Sequence, residues 1–146
     1  MLTVADLMTS DVFALGDQDT LLTARSIMTL AKIRHIPIVD SENRFAGLLT
    51  HRDILNASVS RFAEIDQQEQ DELDAGIPIR EIMRTDVKTV TPDMHIKEAA
   101  RLLLEHKYGC LPVLAGEQLV GIVTEADFLA LTISLMETLE EEGKLD

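Results

Sequence analysis

The stretch GLLTHRD, at residues 47–53, returns further along the chain as GIVTEAD, at residues 121–127. In each stretch a short apolar run, typical of a strand, ends at a threonine. An acidic residue follows three positions later, where we expect a helix to begin. Each stretch therefore predicts a strand that passes directly into a helix, and the double occurrence indicates a longer internal repeat.

The similarity extends outward from these two stretches. ADLMTSDVFAL at residues 5–15 matches REIMRTDVKTV at residues 80–90, and HIPIVD at residues 35–40 matches CLPVLA at residues 110–115. The offset is 75 residues at first and 74 after one residue is lost before Gly121. Two copies of a unit of roughly 55 residues therefore fill most of the chain. We expect repeat 1 at residues 1–58 and repeat 2 at residues 79–133. An acidic helical linker at residues 59–78 joins them, and an acidic helix end follows at residues 134–146.

Both copies predict the same order of secondary structure, strand-helix-strand-strand-helix, after a short helical turn. Apolar residues spaced as on one helix face predict helices over residues 20–32 and 95–106. This mixture makes the fold class α/β or α+β. Neither copy has enough elements to bury its own apolar faces, so we expect the copies to pack about a pseudo-twofold axis. The predicted strands are residues 12–15, 36–39, 45–49, 87–90, 111–114 and 118–123, and further helices begin at His51 and Glu125.

Two acidic segments carry most of the formal net charge of −13. Residues 60–76 hold six acids and one base, and residues 137–146 hold five acids and one base, which leaves −4 for the rest of the chain. Glutamine and glutamate favour helix, so we expect a solvated helix over residues 59–75, ended by Gly76 and Pro78. The overall charge disfavours nucleic acid as a partner but leaves room for a local phosphate site.

The composition is that of a chain with one compact core. Apolar residues make up 46% of the 146 residues, while aromatic residues make up 3% and tryptophan is absent. Cys110 is the only cysteine, so no disulfide within the chain is expected. No segment approaches the ~18 consecutive apolar residues that span a bilayer, and no signal peptide is recognisable. We therefore expect a cytoplasmic protein with no membrane partner.

The threonine and the acid of each repeated turn allow two interpretations. Thr50 with Asp53, and Thr124 with Asp127, can form a capping box, which contributes about 0.5 to 2 kcal/mol to stability. Alternatively, a hydroxyl and backbone N–H groups at a helix start bind anions, and a neighbouring acid can accept both hydroxyls of a ribose. The second interpretation predicts a site for a sugar phosphate at each turn.

Taken together, these patterns resemble the CBS motif, named after cystathionine β-synthase. The resemblance rests on LMTSDV and IMRTDV, on Ile36-Pro37-Ile38 and Leu111-Pro112-Val113, and on the two G-x-x-T-x-x-D turns. The whole chain looks like a tandem CBS pair, or Bateman module, over residues 3–58 and 79–133. In that family the threonine and aspartate of the turn contact the phosphate and ribose of adenosine nucleotides or related adenosyl ligands. Residues just before the proline, and backbone near the first strand, frame the base and the phosphates.

The resemblance implies a ligand-binding set in each copy. In the first copy the implied residues are Val12, Arg34, His35, Ile36, Pro37, Thr50, Arg52 and Asp53, and in the second they are Val87, Leu111, Pro112, Thr124 and Asp127. The copies differ in charge: Lys32, Arg34, His35, His51 and Arg52 correspond to Lys107, Gly109, Cys110, Glu125 and Ala126. Because guanidinium and imidazolium groups bind phosphate oxygens and Glu125 would repel them, we expect first-copy side chains to bind the nucleotide phosphates.

Other polar residues carry weaker signals. His95 and His106 are eleven positions apart, which is not the spacing of a helical metal pair, so no metal is expected. Cys110 precedes Leu111-Pro112 in a predicted strand and is interpreted as a small packed residue. The sequence has no nucleophile paired with a base and no acid pair in a defined context, so we do not expect an enzyme or a required cofactor.

The leading hypothesis is a regulatory module that binds AMP, ADP, ATP or a related adenosyl ligand in clefts between the repeats. The alternative is a ligand-independent dimerisation scaffold, in which the threonines and aspartates only cap helices. The resemblance also implies a disk-like homodimer, and an apolar stripe over residues 131–145 is consistent with it. A regulated partner is expected to be a separate protein.

Overall fold

The protein is seen here as a computed structural model that describes residues 2–57, 66–107 and 109–144. Strands and helices alternate as the repeat predicts, which confirms the mixed α+β class. The elements are α1 (Val4–Leu7), β1 (Leu15–Gly16), α2 (Leu21–Ala31), β2 (His35–Val39), β3 (Phe45–Thr50), α3 (His51–Ala57), α4 (Gln67–Ala75), a 3₁₀ turn (Ile79–Glu81), α5 (Ile96–Glu105), β4 (Cys110–Ala115), β5 (Gln118–Thr124) and α6 (Glu125–Glu141). In the described ranges, every helix falls short of the length and apolar character that a membrane span requires.

The chain divides into two compact units. The first unit comprises Asp11–Val87 and Gly116–Leu119, and the second comprises Met1–Ser10, Lys88–Ala115 and Val120–Asp146. Each unit therefore combines most of one sequence repeat with the leading segment of the other repeat. We call residues 3–10 and 79–85 the leading segments.

The first unit contains a three-stranded sheet in the order β1-β2-β3. Strand β2 pairs in parallel with β1 and antiparallel with β3, with Ile36 opposite Leu49. Helix α2 begins after Thr20, whose hydroxyl accepts from the Thr23 N–H, and it ends at Lys32 in the left-handed conformation. The helix buries one face against the sheet because its apolar residues recur at helical spacing. The core consists of Leu21, Ala24, Met28, Ile36, Ile38, Leu49, Ile54 and Ile79.

The second unit is built in the same way around the paired strands β4 and β5. Helix α5 begins after His95, whose Nδ1 accepts from the Lys97 N–H at 3.1 Å, and it buries Ala99 and Leu103. Its core consists of Val4, Val90, Ala99, Leu103, Leu111, Val113 and Val123.

Each leading segment crosses the strand that carries the repeated glycine. Thr9 exchanges two backbone hydrogen bonds with Ile122, both 2.9 Å long, and Arg84 exchanges two with Leu48, of 2.8 and 2.9 Å. A Cβ atom on Gly47 would lie 2.6 Å from the Arg84 carbonyl oxygen, and one on Gly121 would lie 2.6 Å from the Met8 sulfur. The glycine of the G-x-x-T-x-x-D pattern is therefore required by the close approach of another segment.

The first strand of each repeat is shorter than predicted. A strand was expected over residues 12–15, but β1 begins only at Leu15. Over residues 87–90 only Val90 forms a bridge, in parallel with Val113. The predictions are wrong in extent because a strand needs a partner backbone, and β2 and β4 offer one only at the end of each run.

Helix α4 departs from the prediction of a solvated helix. Gln70 and Asp74 are 3% and 1% exposed, and Arg25 of α2 forms ion pairs with Asp71 at 2.6 Å and with Asp74 at 2.8 Å. Polarity alone suggested exposure, whereas the arginine supplies the countercharge that lets Asp74 be buried. The end of the predicted helix at Ser58, the linker as far as residue 65 and Leu145 of the apolar stripe lie outside the described residues.

Candidate functional site

Both repeated turns are strand-to-helix junctions with a capping arrangement. At the first turn, the Thr50 N–H donates to Asp53 Oδ2 at 3.0 Å and the Asp53 N–H donates to Thr50 Oγ1 at 3.1 Å. At the second turn, the Thr124 N–H donates to Asp127 Oδ2 at 2.8 Å and Thr124 Oγ1 is 3.3 Å from the same oxygen. These bonds satisfy donors that a helix start leaves unpaired, at about 1 kcal/mol per cap. Capping is therefore one role of all four residues.

Asp53 has a second partner that the sequence interpretation missed. Arg84, in the leading segment of repeat 2, donates from Nε to Asp53 Oδ1 at 3.0 Å and to Oδ2 at 3.2 Å. Its Nη2 atom is 2.9 Å from Oδ1, and the Asp53 side chain is 10% exposed. Both carboxylate oxygens are therefore engaged by charge-assisted hydrogen bonds. The one sequence signal was that arginine occupies, in IMRT, the place of threonine in LMTS.

Basic side chains line a cavity of about 320 Å³ at the base of the first turn. Lys32, Arg34 and His51 contribute to its wall, and all three are exposed. The junction is fixed by the backbone, because the His51 N–H donates to the Arg34 carbonyl at 2.8 Å. Cationic groups gathered at one depression attract anions, and a guanidinium suits phosphate oxygens in particular. Of the predicted cationic residues, Arg34 lies in this wall, Arg52 is exposed on α3 and His35 is half-buried opposite Thr50 in β2.

A cavity of about 290 Å³ lies between α5 and α6 in the second unit. Its wall is mainly apolar, with Leu104, Phe128 and Leu129 among the side chains and Glu125 as the charged one. The described cavity beside the second turn therefore lacks the cationic lining of the first. This contrast follows from the substitution of His51 by Glu125 at equivalent places in the repeat.

The apolar residues of the predicted sites have other surroundings. Ile36 and Leu111 are fully buried, each in the core of its own unit. Pro37 and Pro112 are buried beside them, and Val12 and Val87 are half-buried in segments without strand pairing. The side chains of Ile36 and Leu111 therefore contribute to the two cores.

Metal or thiolate chemistry has little support among the described residues. In those ranges no group of three or more histidine, cysteine, aspartate or glutamate side chains is placed to hold a metal ion. Cys110 is buried, as predicted for a packed residue, and burial raises the pKa of its thiol to about 12. A thiol with such a pKa stays protonated and is a poor nucleophile.

Comparison with known proteins gives one family. The family model described as CBS domain matches residues 4–60 and 79–133. A crystal structure from Vibrio cholerae, described as a candidate acetoin utilization protein (AcuB), is 40% identical, with a TM-score of 0.79 and 97% of each chain covered. CBSX2, solved in complex with AMP, is 25% identical with a TM-score of 0.76, covering 92% of this chain and 98% of CBSX2.

Some relatives are much longer than this chain. An uncharacterized protein of Methanocaldococcus jannaschii, MJ1404, is 31% identical over 150 aligned residues, which include 98% of this chain. The chain spans 36% of that relative's length.

Proposed function

The chain belongs to the CBS-domain family, and from this premise we propose that it is a regulatory module that binds an adenosine nucleotide. In this proposal Asp53 and Asp127 accept the ribose hydroxyls, and Thr50 and Thr124 lie beside the phosphate. The ligand shifts the protein between two arrangements through unequal affinity for them. The module acts on a separate regulated protein in the cytoplasm and performs no catalysis itself.

The observation that carries this proposal is the basic cavity at the first turn. Lys32, Arg34 and His51 line one depression of about 320 Å³, next to a turn whose threonine and aspartate are already held in place by the start of α3. The turn fixes the position of the Asp53 carboxylate, and the basic groups beside it suit a phosphate. The AMP complex of the relative CBSX2 supports the same class of ligand.

In this proposal the adenine base of the ligand lies against backbone at each turn. Backbone around Ile36-Pro37 and Val12 would face it at the first turn, and backbone around Leu111-Pro112 and Val87 at the second. Arg34 and Arg52, with His35 near the turn, would bind the phosphates.

A measurement of AMP and ATP affinity for the wild type and Arg34→Ala tests the proposal. We expect Arg34→Ala to weaken AMP binding about tenfold, because it removes a charge-assisted contact to phosphate. Arg44→Ala is the matched control, since Arg44 lies in the turn between β2 and β3 and pairs with Asp40 and Glu42. An unchanged affinity in Arg34→Ala would remove Arg34 from the site.

The alternative function is a dimerisation scaffold that binds no nucleotide. The capping bonds at Thr50 and Thr124 favour it, because they account for both residues without a ligand. Thermal unfolding separates the two functions, since a ligand that binds only the native state raises the midpoint. A midpoint that no adenosyl compound changes, at concentrations up to about millimolar, would favour the scaffold.

We also propose that the functional form is a homodimer. Helix α6 has no buried residue, and Leu129 and Ile133 on it are 65% and 56% exposed. Large apolar side chains that recur along one helix are usually covered by a partner. A second copy supplies such a partner without any further protein.

A further inference from the structure

We propose that the acidic end of α6 from a second copy of the chain docks in the basic cavity at the first turn, and that a nucleotide phosphate displaces it. The acidic end comprises residues 137–142, the last turn of α6 and its cap. The inference rests on the proposed nucleotide binding and homodimer. It adds their regulation, because the docked and released states of α6 would be the two arrangements between which the ligand shifts the protein.

The second half of α6 extends beyond the packed part of its unit. Every residue from 132 to 144 is exposed, and these residues cover all faces of the helix. Helical residues 132–141 span about 15 Å at a rise of about 1.5 Å per residue. This segment is therefore available for contact with a second copy.

One face of the segment combines an apolar residue with two acids. Ile133, Glu137 and Glu140 follow one another at i, i+4 and i+7, so they lie on the same side of α6. A second copy that covers Ile133 must therefore also meet Glu137 and Glu140. Carboxylates that are taken out of water need cationic partners.

Helix α6 cannot supply those partners itself. It contains no lysine or arginine from Glu125 to Glu141, so a pairing of α6 with α6 would bring acids together. The negative end of the helix dipole adds to this repulsion. Lys144, just beyond the helix, already pairs with Glu142 at 3.3 Å. The cations must therefore come from another part of the second copy.

The basic cavity gathers side chains of the required charge. Lys32, Arg34 and His51 line its volume of about 320 Å³, and all three are exposed. Within the described ranges none of the three forms an ion pair, and Glu137 and Glu140 are likewise without one there. Each set of charges can therefore be neutralised by the other.

The docked glutamate and a nucleotide phosphate would compete for the same groups. Both anions bind a guanidinium through two parallel hydrogen bonds. A phosphate at Arg34 therefore excludes the glutamate, and a docked glutamate lowers the affinity for nucleotide. Nucleotide would thus release the acidic end and weaken a dimer that keeps its apolar contacts.

The first experiment reverses one charge on each side of the contact and measures self-association of the full chain by sedimentation without nucleotide. Arg34→Glu and Glu140→Lys are each expected to weaken self-association about tenfold, because each places like charges opposite one another.

An equimolar mixture of the two variants tests whether the contact lies between copies. In a mixed dimer one docking contact has the native charges and the other has both charges reversed. The mixture should therefore associate to within about threefold of the wild type. A contact inside one chain would give no such recovery.

Two charge reversals outside the contact serve as controls. Glu142→Lys changes a residue two positions from Glu140, on the other side of the helix. Arg101→Glu changes an exposed cation of α5 that is not part of the cavity wall. Both should leave self-association near that of the wild type.

The second experiment measures AMP affinity by calorimetry. Glu140→Gln removes the competing charge, so we expect AMP to bind about threefold more tightly than to the wild type. Glu142→Gln removes the same charge from the other side of the helix and should leave the affinity unchanged.

The outcomes separate this inference from the proposed function. If the wild type binds no AMP, the nucleotide-binding function is wrong, whereas the charge reversals still decide whether α6 docks. A mixture as weak as its two components, or a monomeric wild type, overturns the docking while AMP binding stands. A recovered mixture with the same AMP affinity in Glu140→Gln as in the wild type overturns the competition. The thermal midpoint of each variant shows whether it is folded.

Discussion

Gly47 and Gly121 are each crossed by a leading segment, and the two crossings differ in what a side chain would meet. A Cβ on Gly47 would meet the Arg84 carbonyl oxygen at 2.6 Å, whereas one on Gly121 would meet the flexible end of Met8 at 2.6 Å and the Thr9 carbonyl oxygen only at 3.0 Å. Backbone yields less readily than a methionine side chain. The same motif glycine is therefore under a stricter constraint in the first copy.

We predict that Gly47→Ala destabilises the protein more than Gly121→Ala does. Forced overlap in a packed region costs about 1 to 3 kcal/mol, and Gly47→Ala should lie in the upper part of that range. The free energy of unfolding in urea measures both changes. Gly76→Ala is a suitable control, since its nearest neighbour would be the Leu73 carbonyl oxygen at 3.5 Å. An equal loss at Gly47 and Gly121 would contradict the prediction.

We predict that the buried thiol of Cys110 makes the protein less stable as the pH becomes alkaline. Burial raises the pKa of its thiol from 9.0 to about 12, so the unfolded chain releases this proton before the folded protein does. The stabilising contribution is complete below pH 9 and is lost as the pH rises toward 12. The slope is at most about 1.4 kcal/mol per pH unit.

Urea unfolding just below pH 9 and midway to pH 12 tests this dependence. Cys110→Ala should have a lower free energy of unfolding than the wild type at the lower pH, because it leaves a small cavity. The difference between the two proteins should shrink at the higher pH. A constant difference would mean that the thiol ionises equally in both states.

At the scale of secondary structure, ion pairs join α4 to α2. Arg25 reaches Asp71 and Asp74, and the Gln70 side chain donates to Asp74 at 2.7 Å. Because Asp74 is 1% exposed, its carboxylate depends on these partners. The acidic helix after repeat 1 is thus part of the first unit.

We predict that Arg25→Ala destabilises the protein by about 2 to 4 kcal/mol, since it leaves a buried carboxylate without its cation. We expect a smaller loss of stability than for a fully buried ion pair, because the Arg25 side chain is 24% exposed. Denaturant unfolding gives the value. Arg80→Ala, at a surface hydrogen bond to Gln18, should cost about 0.5 kcal/mol or less. A similar loss in both variants would show that the ion pair with Asp74 contributes nothing specific.

At the scale of the whole molecule, α6 and the cavity beside it form an uncovered apolar surface. Leu104 is 80% exposed next to Leu129 in this cavity wall, and Leu135 and Met136 extend the surface along α6. If a second copy covers this surface, as we propose, it removes these side chains from water.

The dimer can be tested by sedimentation of Ile133→Glu. A charge at a covered apolar position should convert the dimer to a monomer, because its desolvation is unfavourable. Thr138→Glu, which introduces the same charge on a different face of α6, is the matched control and should leave the mass unchanged. A wild type that sediments as a monomer would refute the proposed assembly, and a dimeric Ile133→Glu would place the interface elsewhere.

Local patterns were sufficient for most of the fold. The spacing of Leu21, Ala24 and Met28 predicted α2 to within a residue, and the repeat placed α5, β4 and β5 at the equivalent positions, because helical periodicity and strand runs are local properties. The same motifs identified both turns and the family. The pattern was less informative where contact with a distant segment decides strand length or burial. The first strands were predicted too long, and the polarity of α4 concealed the burial of Asp74.

The sequence by itself determined the duplication, the mixed α+β class, the Thr and Asp of each turn and the cationic residues of the first copy. Only the tertiary structure decided that each leading segment packs with the other repeat, that another segment closely approaches Gly47 and Gly121, and that Arg84 binds Asp53. These contacts join residues far apart along the chain, such as Arg84 and Asp53, 31 positions apart. Propensity and periodicity act over a few residues, so such pairs are set only when the chain is folded.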